Sequence, residues 1–181
     1  MLDHLADVWR FDDWRKWLKG EVSRGRVGEH DVRLLKPSTY MNLSGEALVP
    51  YLRDERFAPP TDLLVVVDDV ALPIGRFRIR AEGSAGGHNG LNSIEAAVGS
   101  RAYARMRIGV GPPLDQERTG ALADYVLDRM GKQERATVLS LFPDFVAASE
   151  TWVQHGAERA MSAFNRKGAR KEGAGEDESS G

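Results

Sequence analysis

The stretch Gly83-Ser-Ala-Gly-Gly-His-Asn-Gly-Leu-Asn-Ser-Ile-Glu95 decides how the rest of the chain is read. Four glycines, a His88-Asn89 pair and a helix start fall within thirteen residues. Glycine lets a backbone approach another molecule closely and take positive φ without steric cost. A helix start presents unpaired N–H donors. His88 and Asn89 therefore stand where a loop can hold a phosphate or a peptide carbonyl. The same residues also fit a plain strand–turn–helix connector, with Asn92 or Ser93 as cap. Apolar Leu91, Ile94 and Val98 follow near helical spacing. Arg76-Phe-Arg-Ile-Arg80 precedes as a strand.

Working outward, Leu63–Val67 is an unbroken aliphatic run, the pattern of a central buried strand. Asp68 and Asp69 stand at its C-terminal end, the edge where functional groups gather in open α/β sheets. Leu72-Pro-Ile-Gly75 turns the chain into the arginine strand, and Arg105–Val110 alternates as another strand. Upstream, Glu21–Val27 and Asp31–Lys36 read as two strands joined at Gly28-Glu29-His30. Ser38–Gly45 reads as a loop entering a helix capped by Asn42 or Ser44, with Ala47, Leu48, Tyr51 and Leu52 as buried stripe and Pro50 shortening it. Leu2, Leu5, Ala6 and Trp9 open the chain with helical spacing. Gly111–Gly120, with two prolines, is a long loop of the mobile kind. Lys132–Leu141 and Asp144–Asn165 are predicted helices. Strands alternating with helices predict a single α/β domain over residues 1–167, and residues 168–181, rich in Gly, Glu and Ser, a disordered acidic tail.

The bulk numbers agree. The chain has 181 residues, enough for one domain with a real core, 41% apolar and 29% charged. No cysteine is present, which removes disulfides, thiol nucleophiles and Cys-ligated metals and fits a cytoplasmic protein. No apolar run approaches membrane-spanning length, and Asp3, His4 and Asp7 break any signal-peptide core. Net charge is −2, all of it in the tail. Between Arg76 and Arg107, six arginines face only Glu82 and Glu95, a local surplus that suits an anion or, equally, a solvated sheet edge.

Asn42, Asp68, Asp69, His88 and Asn89 come from three segments, each following a strand. Converging strand ends bring such groups to one crevice. Two amides hold a carbonyl and orient a water. A carboxylate fixes a histidine tautomer and stabilises its cation. That is the equipment of a general-base hydrolase. No Gly-x-Ser-x-Gly elbow, Walker loop or dinucleotide fingerprint occurs, and the four histidines lack paired metal-ligand spacing, so neither cofactor nor metal is expected. Each residue alone also has an ordinary explanation, Asn42 as a cap, Asp68 on turn amides and His88 as a local loop brace.

In order along the chain come Thr39-Tyr-Met-Asn-Leu-Ser-Gly45, the strand ending at Asp68 before Leu72-Pro-Ile-Gly75, Gly86-Gly-His-Asn-Gly-Leu91 and Arg105-Met-Arg-Ile-Gly-Val-Gly111. Together they resemble the bacterial peptidyl-tRNA hydrolases, from Leu2 to about Asn165. The resemblance implies a single-domain α/β fold with a mixed twisted sheet between helices. It implies a cytoplasmic monomer that recycles stalled tRNA in translation and ribosome rescue. Such an enzyme cleaves the ester between a peptide and the 3′ ribose of tRNA, without cofactor. By resemblance, Asn42 and Asn89 bind the peptide backbone and place the water. Tyr40 and Met41 line the crevice beside the 3′ adenosine or peptide, and His88 belongs to that crevice in a supporting role. Asp68 orients the catalytic histidine. Arg76, Arg78, Arg80 and Arg107 meet acceptor-stem phosphates, and the loop after Gly111 gates the crevice.

The sequence also departs from the family pattern. The family's first strand, its Gly-Asn-Pro-Gly turn and the histidine-bearing segment after it have no counterpart here, and His4 lies too far along its helix to substitute. Ala71 stands where many relatives carry a second aspartate, and Glu82-Gly-Ser-Ala85 replaces a more glycine-rich stretch. The expectation is an N-terminally incomplete chain of weak or no activity, with an unpaired strand edge. The alternative is a non-catalytic RNA-binding protein on the same fold.

Overall fold

The computed structural model describes residues 1–111 and 131–165. It is a single α/β domain with a mixed sheet and flanking helices. Strands β1 (Arg15–Trp17), β2 (Gly20–Val27) and β3 (His30–Pro37) form an antiparallel sheet of their own, in that order. Strands β4 (Leu64–Pro73), β5 (Phe77–Arg80) and β6 (Ala104–Gly111) form the mixed sheet in the order β4-β6-β5, with β4 parallel and β5 antiparallel to β6. The helices are α1 (Leu2–Val8), the single turns α2 (Val49–Leu52) and α3 (Pro59–Asp62), then α4 (Asn89–Val98), α5 (Lys132–Ser140) and α6 (Phe142–Phe164), the last broken at Gly156. The loop read from Gly111 to Gly120, beyond Gly111 itself, and the tail 168–181 lie outside the described residues.

One expectation is corrected. The Leu63–Val67 run belongs to β4, which lies at an edge of its sheet, and the middle strand is β6. A run of aliphatic residues records burial of both faces and is silent about pairing of both edges. Strand β6 is held on both sides and alternates accordingly. Met106 and Ile108 enter a core with Leu5, Ile79, Phe145 and Ala148, against α1 and α6. Arg105 and Arg107 turn to the other face, where α4 packs through Leu91 and Ile94 onto Leu63, Val65 and Tyr103. The arginine strand β5 is the far edge, and its backbone is closed off by the Asn165 amide. That side chain accepts from the Ile79 N–H at 2.9 Å and donates to the Ile79 carbonyl at 3.0 Å, as a strand neighbour would.

Among the described residues, β3 and β4 each keep one edge unpaired. Between them runs a cleft of about 1100 Å³ lined by Leu34, Leu35, Val65, Val66, Met41 and Asp68. The helix expected after Gly45 is a 3₁₀ turn, Met41–Ala47, followed by the single turn α2, with Pro50 in its first turn. Neither Asn42 nor Ser44 caps it; the Ser44 hydroxyl donates to the Met41 carbonyl at 2.8 Å.

This turn lies flat on α4. Gly45 N–H donates to Ser93 Oγ at 3.0 Å, and a Cβ at residue 45 would stand 2.2 Å from the Ser93 carbonyl oxygen. Gly45→Ala is therefore expected to cost about 1–3 kcal/mol by overpacking. It should lower the urea midpoint with m unchanged; a wild-type midpoint would show that the turn does not pack on α4.

Candidate functional site

Helix α4 begins at Asn89, and its cap is His88. His88 Nδ1 accepts the Leu91 N–H at 3.2 Å, the role that Asn92 and Ser93 were candidates for. The imidazole can do this because Gly86 (φ 59°) and Gly87 (φ 83°) bring the chain in through a left-handed bend. Ser93 instead serves the Met41–Ala47 turn, a tie no local sequence signal reports because its partner lies 48 positions away.

That tie brings the two asparagines onto packed elements. A Cβ at Gly90 would meet Met41 Sδ at 2.7 Å and His88 Cε1 at 3.0 Å, so the thioether lies directly over the start of α4. Asn42 follows Met41 and Asn89 precedes Gly90. Both asparagines are exposed, and among the described residues neither side chain is used in an intramolecular hydrogen bond. Tyr40 is 82% exposed beside them. Asp68 lies within β4, which continues through Asp69 to Pro73, past the end that the sequence pattern sets, and it lines the same cleft as Met41 and Gly90. Met41 and Gly90, the chain neighbours of Asn42 and Asn89, thus line the cleft that Asp68 lines.

Asp68 Oδ1 and His88 Nε2 are 3.9 Å apart. This is beyond a hydrogen bond but within ion-pair reach. The imidazole opposite is the main influence holding the Asp68 carboxyl below the usual carboxylate range; half-burial of Asp68 pushes the other way. With Nδ1 committed to the cap and Nε2 facing Asp68, neither ring nitrogen of His88 points freely into the crevice.

The arginines divide into two kinds. Cross-strand register sets Arg78 opposite Arg107 and Arg80 opposite Arg105. Like charges placed so are unfavourable unless neutralised. Arg107 is neutralised: Nη1 lies 3.1 Å from Asp69 Oδ2, and Nη2 donates to the Ser84 and Ala85 carbonyls at 3.1 and 2.9 Å. It staples the glycine loop to the sheet, and Asp69 is its counter-charge. Arg105 is 1% exposed, reaches Glu95 Oε1 at 3.3 Å and the Arg101 carbonyl at 2.9 Å, and lies over the Tyr103 ring. Arg78 and Arg80 are exposed and have no acidic partner among the described residues. Arg76 sits before β5, off this pattern. The Arg107–Asp69 and Arg105–Glu95 pairs escaped sequence reasoning, since nothing local marks which of six arginines has a counter-charge. A hollow of about 490 Å³ is lined by Arg80, Arg105, Arg107 and Ser84.

The family model described as peptidyl-tRNA hydrolase matches residues 1–172. The peptidyl-tRNA hydrolase of Gemmatimonas aurantiaca is 46% identical over 166 residues, covering 92% of this chain and 87% of that protein. That of Clostridium novyi is 36% identical over 165 residues, covering 91% and 85%. A crystal structure of the peptidyl-tRNA hydrolase from Acinetobacter baumannii superposes with a TM-score of 0.77 at 31% identity, covering 89% of this chain and 80% of that one.

The lowered Asp68 pKa carries a sign. A group whose folded pKa is depressed adds stability above its unfolded value, near 4, and loses it as pH falls through the folded value. Thermal midpoints from pH 6 down to pH 3 are therefore expected to fall less steeply for Asp68→Asn than for the parent chain; identical slopes would show that the His88 contact is not made.

Proposed function

The chain belongs to the peptidyl-tRNA hydrolase family, and on that premise we propose that its crevice binds the ester-linked end of peptidyl-tRNA in the cytoplasm, as a monomer, for attack by water. The observation that supports the reading is that Met41 and Gly90, the chain neighbours of Asn42 and Asn89, line one cleft with Asp68, while among the described residues neither exposed asparagine side chain is used in a hydrogen bond. Asn42 and Asn89 hold the peptide backbone and the attacking water by hydrogen bonds. Met41 and Tyr40 form the apolar wall beside the terminal adenosine or first peptide residue. Arg78 and Arg80, the cations without acidic partners among the described residues, meet the acceptor-stem phosphates, and Arg76 joins them from the start of the strand. Arg107 acts beneath them by holding the glycine loop.

Asp68 orients a general base, and that base is a histidine outside these 181 residues. His88 is committed to its cap and to Asp68. His4 packs on Phe142 with ring centroids 4.5 Å apart, and His30 pairs with Val27 in the first sheet. His155 lies on α6, which packs on the opposite face of the sheet from α4. The unpaired edge of β4 and the apolar cleft beside it agree with an extended segment lying there in the active enzyme. Without a positioned base, turnover falls by about 10²–10⁴.

Two measurements check the proposal. Peptidyl-tRNA turnover by the 181-residue chain is expected to be at least about 10²-fold slower than by a chain lengthened upstream of Met1 with a histidine-bearing segment; comparable rates would refute the assignment of the base. If the lengthened chain binds tRNA but does not turn over, the non-catalytic RNA binder is the better reading. For the phosphate surface, Arg78→Ala/Arg80→Ala is expected to weaken tRNA binding and to lower the slope of log K against log salt by about 2, one per lost contact. An unchanged slope would remove β5 from the interface.

A further inference from the structure

We propose that the tip of the β1–β2 hairpin is a subsite for the peptide part of the substrate, reached several residues beyond the ester. The proposal rests on the substrate reading above and extends it to a segment given no role there. Trp17 is 53% and Leu18 73% exposed. Leu18 also has φ 50°, a left-handed conformation that is strained for a bulky residue and that glycine takes freely. A strained backbone that presents an apolar side chain to water suggests a use for that side chain.

The tip is continuous with the crevice. The Lys19 carbonyl accepts the Ser38 N–H at 2.9 Å, and the Lys19 ammonium pairs with Glu46 of the Met41–Ala47 turn. Register sets Trp17 opposite Gly20 and Arg15 opposite Val22, which in turn faces Leu35. Trp17 therefore stands on the sheet face of Leu35, the face that packs with Leu48 just after the turn. The turn that Lys19 reaches carries its own exposed apolar groups, Met41 (53%) and Leu43 (39%), with Tyr40 just before it. Arg78 and Arg80, exposed and without acidic partners among the described residues, lie on the other side of Asp68, beyond β6. If the phosphates lie over β5, the acyl chain leaves toward the hairpin.

An RNA strand is the competing occupant, because Arg15 and Lys16 flank Trp17 and aromatic–cation surfaces bind single strands. The surface favours peptide: Leu18 and Leu43 have no π face on which a base can stack, whereas an extended peptide buries apolar side chains on both.

The test uses non-hydrolysable amide conjugates of a minihelix RNA with a single-stranded 3′ end, carrying one acetylated residue, five apolar residues or five Gly/Ser residues. The parent chain is expected to bind the apolar five-residue conjugate about tenfold tighter than the other two, as burial of one or two exposed side chains predicts. Trp17→Ala/Leu18→Ser should lose most of that gain and keep its affinity for the one-residue conjugate. Leu18→Gly relieves the backbone strain, so it folds, and should lose part of the same gain. A parent chain that binds the three conjugates equally would overturn the subsite alone. A loss in the variants that is equal for all three would place RNA on the tip instead. A parent chain that binds no conjugate would overturn the substrate reading itself, and the subsite with it.

Discussion

The close approach of the Met41–Ala47 turn to α4 is the constraint on which the crevice depends. Asn42 and Asn89 are 47 positions apart and belong to segments that share no strand pairing. What joins them is close packing at two glycines: Gly45 against the Ser93 carbonyl, and Gly90 under the Met41 sulfur. A Cβ at Gly45 would meet the Ser93 carbonyl oxygen at 2.2 Å, so the two elements would have to move apart, and two amides proposed to address one carbonyl and one water tolerate little of that. The glycines in this region thus do two different things. Gly86 and Gly87 bend the chain with positive φ, while Gly45 and Gly90 leave room for a neighbour.

Electrostatics is arranged around the same elements. Four arginines on β5 and β6 face one another in register, an arrangement that repels unless each inner member has its own acid. Asp69 and Glu95 supply those acids to Arg107 and Arg105, with the side chains of both pairs largely shielded from water. Breaking such a pair by removing one partner is costly because the other charge stays behind. The pairing also separates roles. The inner arginines tie the glycine loop and α4 to the sheet, and the outer Arg78 and Arg80 keep their charge for solvent or for an anion. A surplus counted along the sequence becomes, in space, two cations at a sheet edge with no acidic partner among the described residues.

Much of this was legible in the chain. The α/β class, the two hairpin strands around Gly28-Glu29-His30, the aliphatic strand through Val67 and helix α4 follow from period and turn chemistry, which are local; where that strand ends does not, since β4 runs past Asp68 and Asp69, paired with Ile108 and Gly109, to Pro73. Strand order is not local, and β4 shows why. Its aliphatic run says that both faces are covered, by α4 on one side and by α1 and α6 on the other, while the edge beside β3 stays open. The caps were misread for a related reason. Asn42, Asn92 and Ser93 have the right chemistry for a cap, but His88 occupies that place on α4, and Ser93 is drawn to Gly45 by tertiary packing. Capping preference decides between residues only when nothing else competes for them.

The role of His88 follows from these contacts. A histidine beside a carboxylate in a crevice has the outline of a base and its orienter. Here Nδ1 accepts an N–H, so the ring's remaining proton resides on Nε2, the nitrogen that faces Asp68. A base must present an unprotonated nitrogen to the water, and this ring has none to spare. His88 therefore acts on structure and field: it starts α4, which sets the direction of Asn89, and it keeps Asp68 ionised. Half-exposed within β4 and lining the cleft, the Asp68 carboxylate is the group that the proposed function assigns to a second imidazole.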